Sequence, residues 1–161
     1  MKQILALSLA ATLLAGQAQA LSCMRPDAAR SYTRAAEAAE PYVVLLGTLT
    51  HQSGPLPERD LSDPDPEERS FAARFEGHAL AKRGFSTRFA TPLTLELTCA
   101  GPWCAGLPEQ EGEVLAFVEQ RAEGYHLRLD PCGGTLFPDP EASTVRQVTR
   151  CHGTNTCLPE D

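Results

Sequence analysis

Six cysteines carry the most versatile chemistry in this sequence: Cys23, Cys99, Cys104, Cys132, Cys151 and Cys157. A thiolate can be a nucleophile, a metal ligand or half of a staple, and the redox compartment decides which. Cys99 and Cys104 flank Ala100-Gly101-Pro102-Trp103 and look at first like a redox pair. Thioredoxin-like sites place two residues between their cysteines and set the first at a helix N-terminus, which lowers its pKa. Here four residues intervene and no helix signal follows, so this pair reads as a structural bridge. Six cysteines allow many pairings, and spacing alone does not choose among them.

The remaining reactive residues form no recognisable constellation. His51, His78, His126 and His152 lack metal-ligand spacing and read as exposed surface histidines. Ser53-Gly54 lies in a proline-rich stretch with no helix after it, and nucleophile-elbow, Walker and dinucleotide glycine patterns are missing. Carboxylates are plentiful, but they fall in loops or on the polar phase of strands, and nothing singles out two of them. Trp103 is the only tryptophan. It can pack on a disulfide or anchor a partner, and with Pro102 it is the candidate partner-binding feature. No catalytic residue, no metal ligand and no cofactor is expected.

The elements that must position these residues follow an export signal. Lys2 supplies the charge, Ile4 to Ala15 the apolar stretch, and Ala18-Gln19-Ala20 a small-x-small cleavage site. The mature chain is expected to begin at Leu21, in the periplasm or outside the cell, where cysteines are staples more often than catalysts. Lipid attachment at Cys23 is disfavoured, because Ala20 stands where a leucine is expected. Residues 21–161 suffice for one domain. The leader holds one of the 14 basic residues and none of the 21 acidic ones, so the rest carries 13 against 21, a formal charge of −8. That balance argues against nucleic acid or an anionic membrane as partner. No second apolar run is long enough to span a bilayer.

Pro26-Asp27 opens a helix whose small residues run from Ala28 to Ala39, stopped by Pro41. Tyr42 to Thr50 is the clearest strand, apolar on both faces, with Gly47 marking a bulge or sharp bend. His51 to Glu68 is an acidic, proline-rich loop. Phe71 to Ala81 and Leu93 to Cys99 alternate as half-buried strands. Glu113 to Gln120 and Tyr125 to Leu129 form a hairpin around Ala122-Glu123-Gly124. Pro138 to Val148 is expected to be a short helix with Asp139 as its cap. The expected fold is mainly β: a five-stranded OB-like barrel with an N-terminal helix and a short late helix.

The order of these features resembles the netrin-module family with its tissue-inhibitor-of-metalloproteinases-like OB-fold, in its secreted bacterial branch. The resemblance is carried by Cys23 and its alanine-rich helix, Val43-Val44-Leu45-Leu46-Gly47-Thr48-Leu49, Cys99, Gly112-Glu113-Val114-Leu115-Ala116-Phe117-Val118, Gly124-Tyr125-His126-Leu127 and Cys132-Gly133-Gly134-Thr135. It covers most of residues 23–151. It implies a Cys23–Cys132 bridge, with Cys99–Cys104 and Cys151–Cys157 closing locally; Cys23–Cys99 is the rival to the first pairing. Inhibitory members chelate a protease zinc through a mature N-terminal cysteine. This chain departs from that pattern: Leu21-Ser22 precede Cys23 and no C-x-C follows, so the chelating role is not carried over.

The expected function is a non-enzymatic, exported binding module for a protein or peptide partner. Two other classes stand beside it: a hydrolase whose carboxylates meet only in the fold, and a thiol-disulfide factor using Cys99 and Cys104.

Overall fold

The computed structural model describes residues 21–56, 58, 60–109, 111–154 and 157. The expected export signal, residues 1–20, lies outside the described residues, as do Pro57 and Arg59 of the acidic loop. Helix α1 spans Ala28–Glu37, and Asp27 caps it: the carboxylate accepts from the Arg30 amide at 2.7 Å. Asp27 thus stands just outside the helix rather than in its first turn, satisfying one of the amides a helix start leaves open.

Five long strands follow the expected order. They are β1 (Tyr42–His51), β2 (Arg69–Ala81), β3 (Gly84–Leu97), β6 (Glu111–Arg121) and β7 (Gly124–Leu129). A small hairpin, β4 (Cys99–Ala100) and β5 (Trp103–Cys104), lies between β3 and β6, and β8 (Leu136–Pro138) follows β7. The sheet runs β1-β2-β3-β7-β6-β8, and β1 also pairs with β6. The five long strands therefore close into a barrel-like ring. Every strand pairing in the ring is antiparallel except β3 with β7, where Thr94–Leu97 pairs with His126–Leu129 in parallel.

Alternation along the strands fills the ring with Leu45, Leu49, Phe75, Leu95, Val118 and Leu127. The opposite face of β1 and β6 buries Val44, Leu115 and Phe117 beneath Ala28 of α1 and Val148 of the second helix, α2 (Ala142–Thr154). This explains why β1 is apolar on both faces. Gly47 has a different role from the one expected. No register shift occurs there; Gly47 pairs directly with Gly77 of β2, and a Cβ on either residue would meet the other strand's backbone. The register shift lies instead between Ala79 and Leu80.

Two element boundaries differ from expectation. Strand β3 begins at Gly84, because Phe85 to Pro92 continue a long hairpin with β2. Pro92 is tolerated where β3 has only one neighbour, since β7 joins at Thr94. The late helix starts at Ala142, not Pro138, and runs to Thr154. Leu136–Pro138 instead pairs with β6, and Asp139 is not its cap but a left-handed turn residue with φ 43°.

Three disulfides staple the chain: Cys23–Cys132, Cys99–Cys104 and Cys151–Cys157. These are the pairings the resemblance implied, and no cysteine remains free. Among the described residues no helix is long and apolar enough to cross a membrane.

Candidate functional site

The register sends every long connection to one rim of the ring. Arg69 pairs with Leu97, Thr50 with Glu111, and Leu97 with Leu129. The acidic loop 52–68, the β3–β6 connection and the segment after β7 therefore leave from the same end. Two of the three staples sit there. Cys99–Cys104 ties the β4–β5 hairpin across its base, where Cys99 also pairs with Cys104 in the ladder. Cys23–Cys132 pins the N-terminal segment to the turn after β7. His51 closes β1 at this rim: it is buried, with Nε2 3.1 Å from the Pro108 carbonyl oxygen and Nδ1 without a partner among the described residues.

Trp103 and Pro102 sit at the hairpin, both half-buried. Trp103 lines a groove of about 580 Å³ together with Leu21, Leu107, Pro131 and Leu136. Pro102 forms the hairpin turn beside the groove but is not among its lining residues. The groove floor reaches the core at Ala105 and Leu129, both buried. Among the described residues, Glu109, Asp130 and Asp139 are its charged lining residues, and no cationic side chain lines it. A second groove of about 410 Å³ lies across the Cys99–Cys104 bridge, between Leu97 and the acidic loop residues Glu58, Asp60, Asp63 and Glu67. Sequence reasoning singled out Trp103 but missed Leu21, Leu107, Asp130 and Asp139. Their convergence is set by the Cys23–Cys132 staple and by β8, neither of which leaves a local pattern.

A second polar assembly spans the β3–β7–β6 wall, from Arg121 at the β6–β7 turn to Glu96 near the end of β3. Arg121 grips Glu96 with both ends of its guanidinium: Nη1 donates to Oε1 at 2.7 Å and Nη2 to Oε2 at 3.0 Å. Nη2 also donates to Glu119 Oε2 at 2.7 Å, and His126 Nδ1 lies 2.7 Å from Glu96 Oε1. His126 is only 8% exposed. Histidines are thus less exposed than expected: His51 and His126 are buried, and His152 is half-buried, bonded through Nδ1 to the Tyr32 hydroxyl at 2.9 Å; His78 alone is exposed. His126 does occupy the polar phase of β7, but the ring brings β3 and β6 carboxylates over it.

This assembly unites two carboxylates, as the hydrolase alternative requires, but with the wrong electrostatics. Burial alone would push Glu96 up, yet the hydrogen bonds from Arg121 and His126 outweigh it and hold its carboxyl below the usual range. A general acid needs a raised pKa. Arg121 is held more firmly protonated by its hydrogen bonds to Glu119 and then Glu96. Bidentate, charge-assisted pairing of this kind is structural cement. The described residues contain no cluster of His, Cys, Asp and Glu arranged to hold a metal. Cys99 and Cys104 both lie in strands, not at a helix N-terminus.

No protein-family model, curated protein or solved structure matches the chain.

Proposed function

We propose that this protein is an exported, non-enzymatic module that binds a protein or peptide partner at its stapled rim. The observation that carries the reading is the groove at that rim: Trp103, held by a cross-strand bridge, faces a channel whose apolar floor continues into the core. Aromatic side chains set in pre-ordered frames are the usual anchors of interfaces, because little entropy is lost on docking. Three bridges with no free thiol favour the periplasm or the extracellular space. Kinship with the netrin and metalloproteinase-inhibitor modules is part of the proposal. It is supported by the β1-β2-β3-β7-β6 ring and by an early cysteine bridged to the turn beyond its last strand.

The test is capture from periplasmic extract and culture medium on protein starting at Leu21, in parallel with Trp103→Ala, with both melts recorded. A species held by the first and lost by the second, with melting temperatures within a few degrees, supports the reading. A collapsed melt for Trp103→Ala would make Trp103 a packing residue and overturn it.

A further inference from the structure

The charge distribution of the groove points to a partner of one chemical kind. Resting on the binding reading above, we propose that the Trp103 groove takes a cationic, apolar peptide segment, in which Lys or Arg alternates with aliphatic side chains. Its three carboxylates come from three different stretches of chain: Glu109 before β6, Asp130 after β7 and Asp139 after β8. Charge is thus spread along the channel, suiting a segment with several cations. Glu109 and Asp139 are exposed and have no ion pair among the described residues. Asp130 spends one oxygen on the Cys132 amide at 2.8 Å. Between these charges the walls are apolar: Leu21, Leu107, Pro131 and Leu136 would receive aliphatic side chains, while the Trp103 face would receive a cation. A volume of about 580 Å³ falls in the range of ligand-binding pockets. In a chain starting at Leu21 one α-ammonium would stand among three carboxylates, so the lining stays net negative, and an anionic or wholly apolar segment would leave carboxylates repelled or desolvated without a partner.

The second groove is also acidic, but it serves as the control. Its carboxylates lie on the long loop, and Arg69 already lines it with them. Asp60 and Asp63 are engaged in turn hydrogen bonds to Ser62 and Asp65.

The probe is the peptide KLKLKL, compared with SLSLSL and ELELEL. Trp103 is the only tryptophan, so its own fluorescence reads occupancy of the groove. Saturable binding of KLKLKL with a shift in Trp103 emission is expected, with SLSLSL and ELELEL at least about tenfold weaker. Glu109→Gln with Asp139→Asn should weaken KLKLKL about tenfold without unfolding the protein, because asparagine tolerates the left-handed backbone at position 139. Glu58→Gln with Glu67→Gln should leave it within about twofold. Equal loss in both double variants would mean diffuse attraction to an acidic protein and overturn the proposal, as would equal binding of SLSLSL. A dimer in sedimentation that Trp103→Ala dissociates would assign the groove to a second copy instead. If no probe binds but a captured species is still lost in Trp103→Ala, the binding reading stands and the cationic class falls.

Discussion

The β3–β7–β6 wall and the stapled rim solve the same problem by different physics. On that wall the β6–β7 connection, residues 122–123, is two residues long, and the charge running from Arg121 to Glu96 is balanced within the protein. Glu96, Glu119, Arg121 and His126 satisfy one another at 2.7–3.0 Å. At the stapled rim the connections are long, and order comes from covalent staples. A staple constrains chain ends without consuming polar groups or apolar surface. The stapled rim can therefore remain ordered while Trp103, Leu21, Glu109 and Asp139 stay available. Self-satisfied polar groups make a wall, and an ordered but unsatisfied surface makes a binding site.

The largest break in that contrast comes from removing the staple of the open rim. Cys23 and Cys132 are 109 residues apart, against 6 for Cys151 and Cys157. On chain-entropy grounds the first bridge contributes about 4–5 kcal/mol and the second about 2–3 kcal/mol. Replacing each pair with alanine and following denaturant melts should give a clearly larger loss for the first. Equal losses would mean that the N-terminal segment is not what orders this rim.

The next largest effect belongs to the polar wall. Arg121→Met keeps the stem but leaves Glu96 and Glu119 side by side without their cation. Breaking a buried ion network by one partner costs about 3–5 kcal/mol; here Arg121 is 26% exposed, so about 2–3 kcal/mol is expected. The effect should be pH-dependent with a definite sign. The folded pKa of Glu96 lies below its ordinary 4.5. Its contribution is present above that ordinary value and is lost as pH falls through the lower folded value. Wild-type stability should therefore drop below about pH 4.5, and Glu96→Gln should flatten that part of the curve. An unchanged acid limb would show that Glu96 is not among the groups that sense acid.

The contrast also explains what the sequence could and could not reveal. Strand β1 was legible because apolar residues on both faces report two burials, the ring interior and the helix layer. The hairpin around Glu123 was legible from its turn residues. The first half of β3 was not: Ser86, Thr87, Arg88 and Ala90 are exposed, and Pro92 argues against a strand unless one edge is known to be open. The Glu96–Arg121–Glu119 network was invisible, because its members sit on β3 and β6, and only the parallel β3–β7 register places His126 beside them. The candidate site was legible at Trp103 alone. Asp139 read as a helix cap because a proline and an acid precede a helical pattern, whereas β8 pairing draws those residues into the sheet.

The smallest expected effect sharpens the comparison within the open rim itself. The acidic loop is long but bears little of the fold: among its described residues only Leu56 packs against the core, and no strand or helix forms in it. Deleting residues 57–65 keeps Leu56 and Pro66 and leaves eight residues to join His51 to Arg69. Those could span about 26 Å, ample for the neighbouring ends of an antiparallel pair. Roughly halving the loop recovers about 0.6 kcal/mol of closure entropy. That gain offsets the removal of the turn hydrogen bonds that the Asp60 and Asp63 carboxylates accept within the loop. The melting temperature should therefore stay within a few degrees of wild type. KLKLKL binding at the Trp103 groove should also persist, because none of the described residues in 57–65 lines it. A destabilisation above about 2 kcal/mol would place the loop among the elements that hold the ring closed. Intact stability with lost binding would move the partner site from the stapled hairpin to the acidic loop.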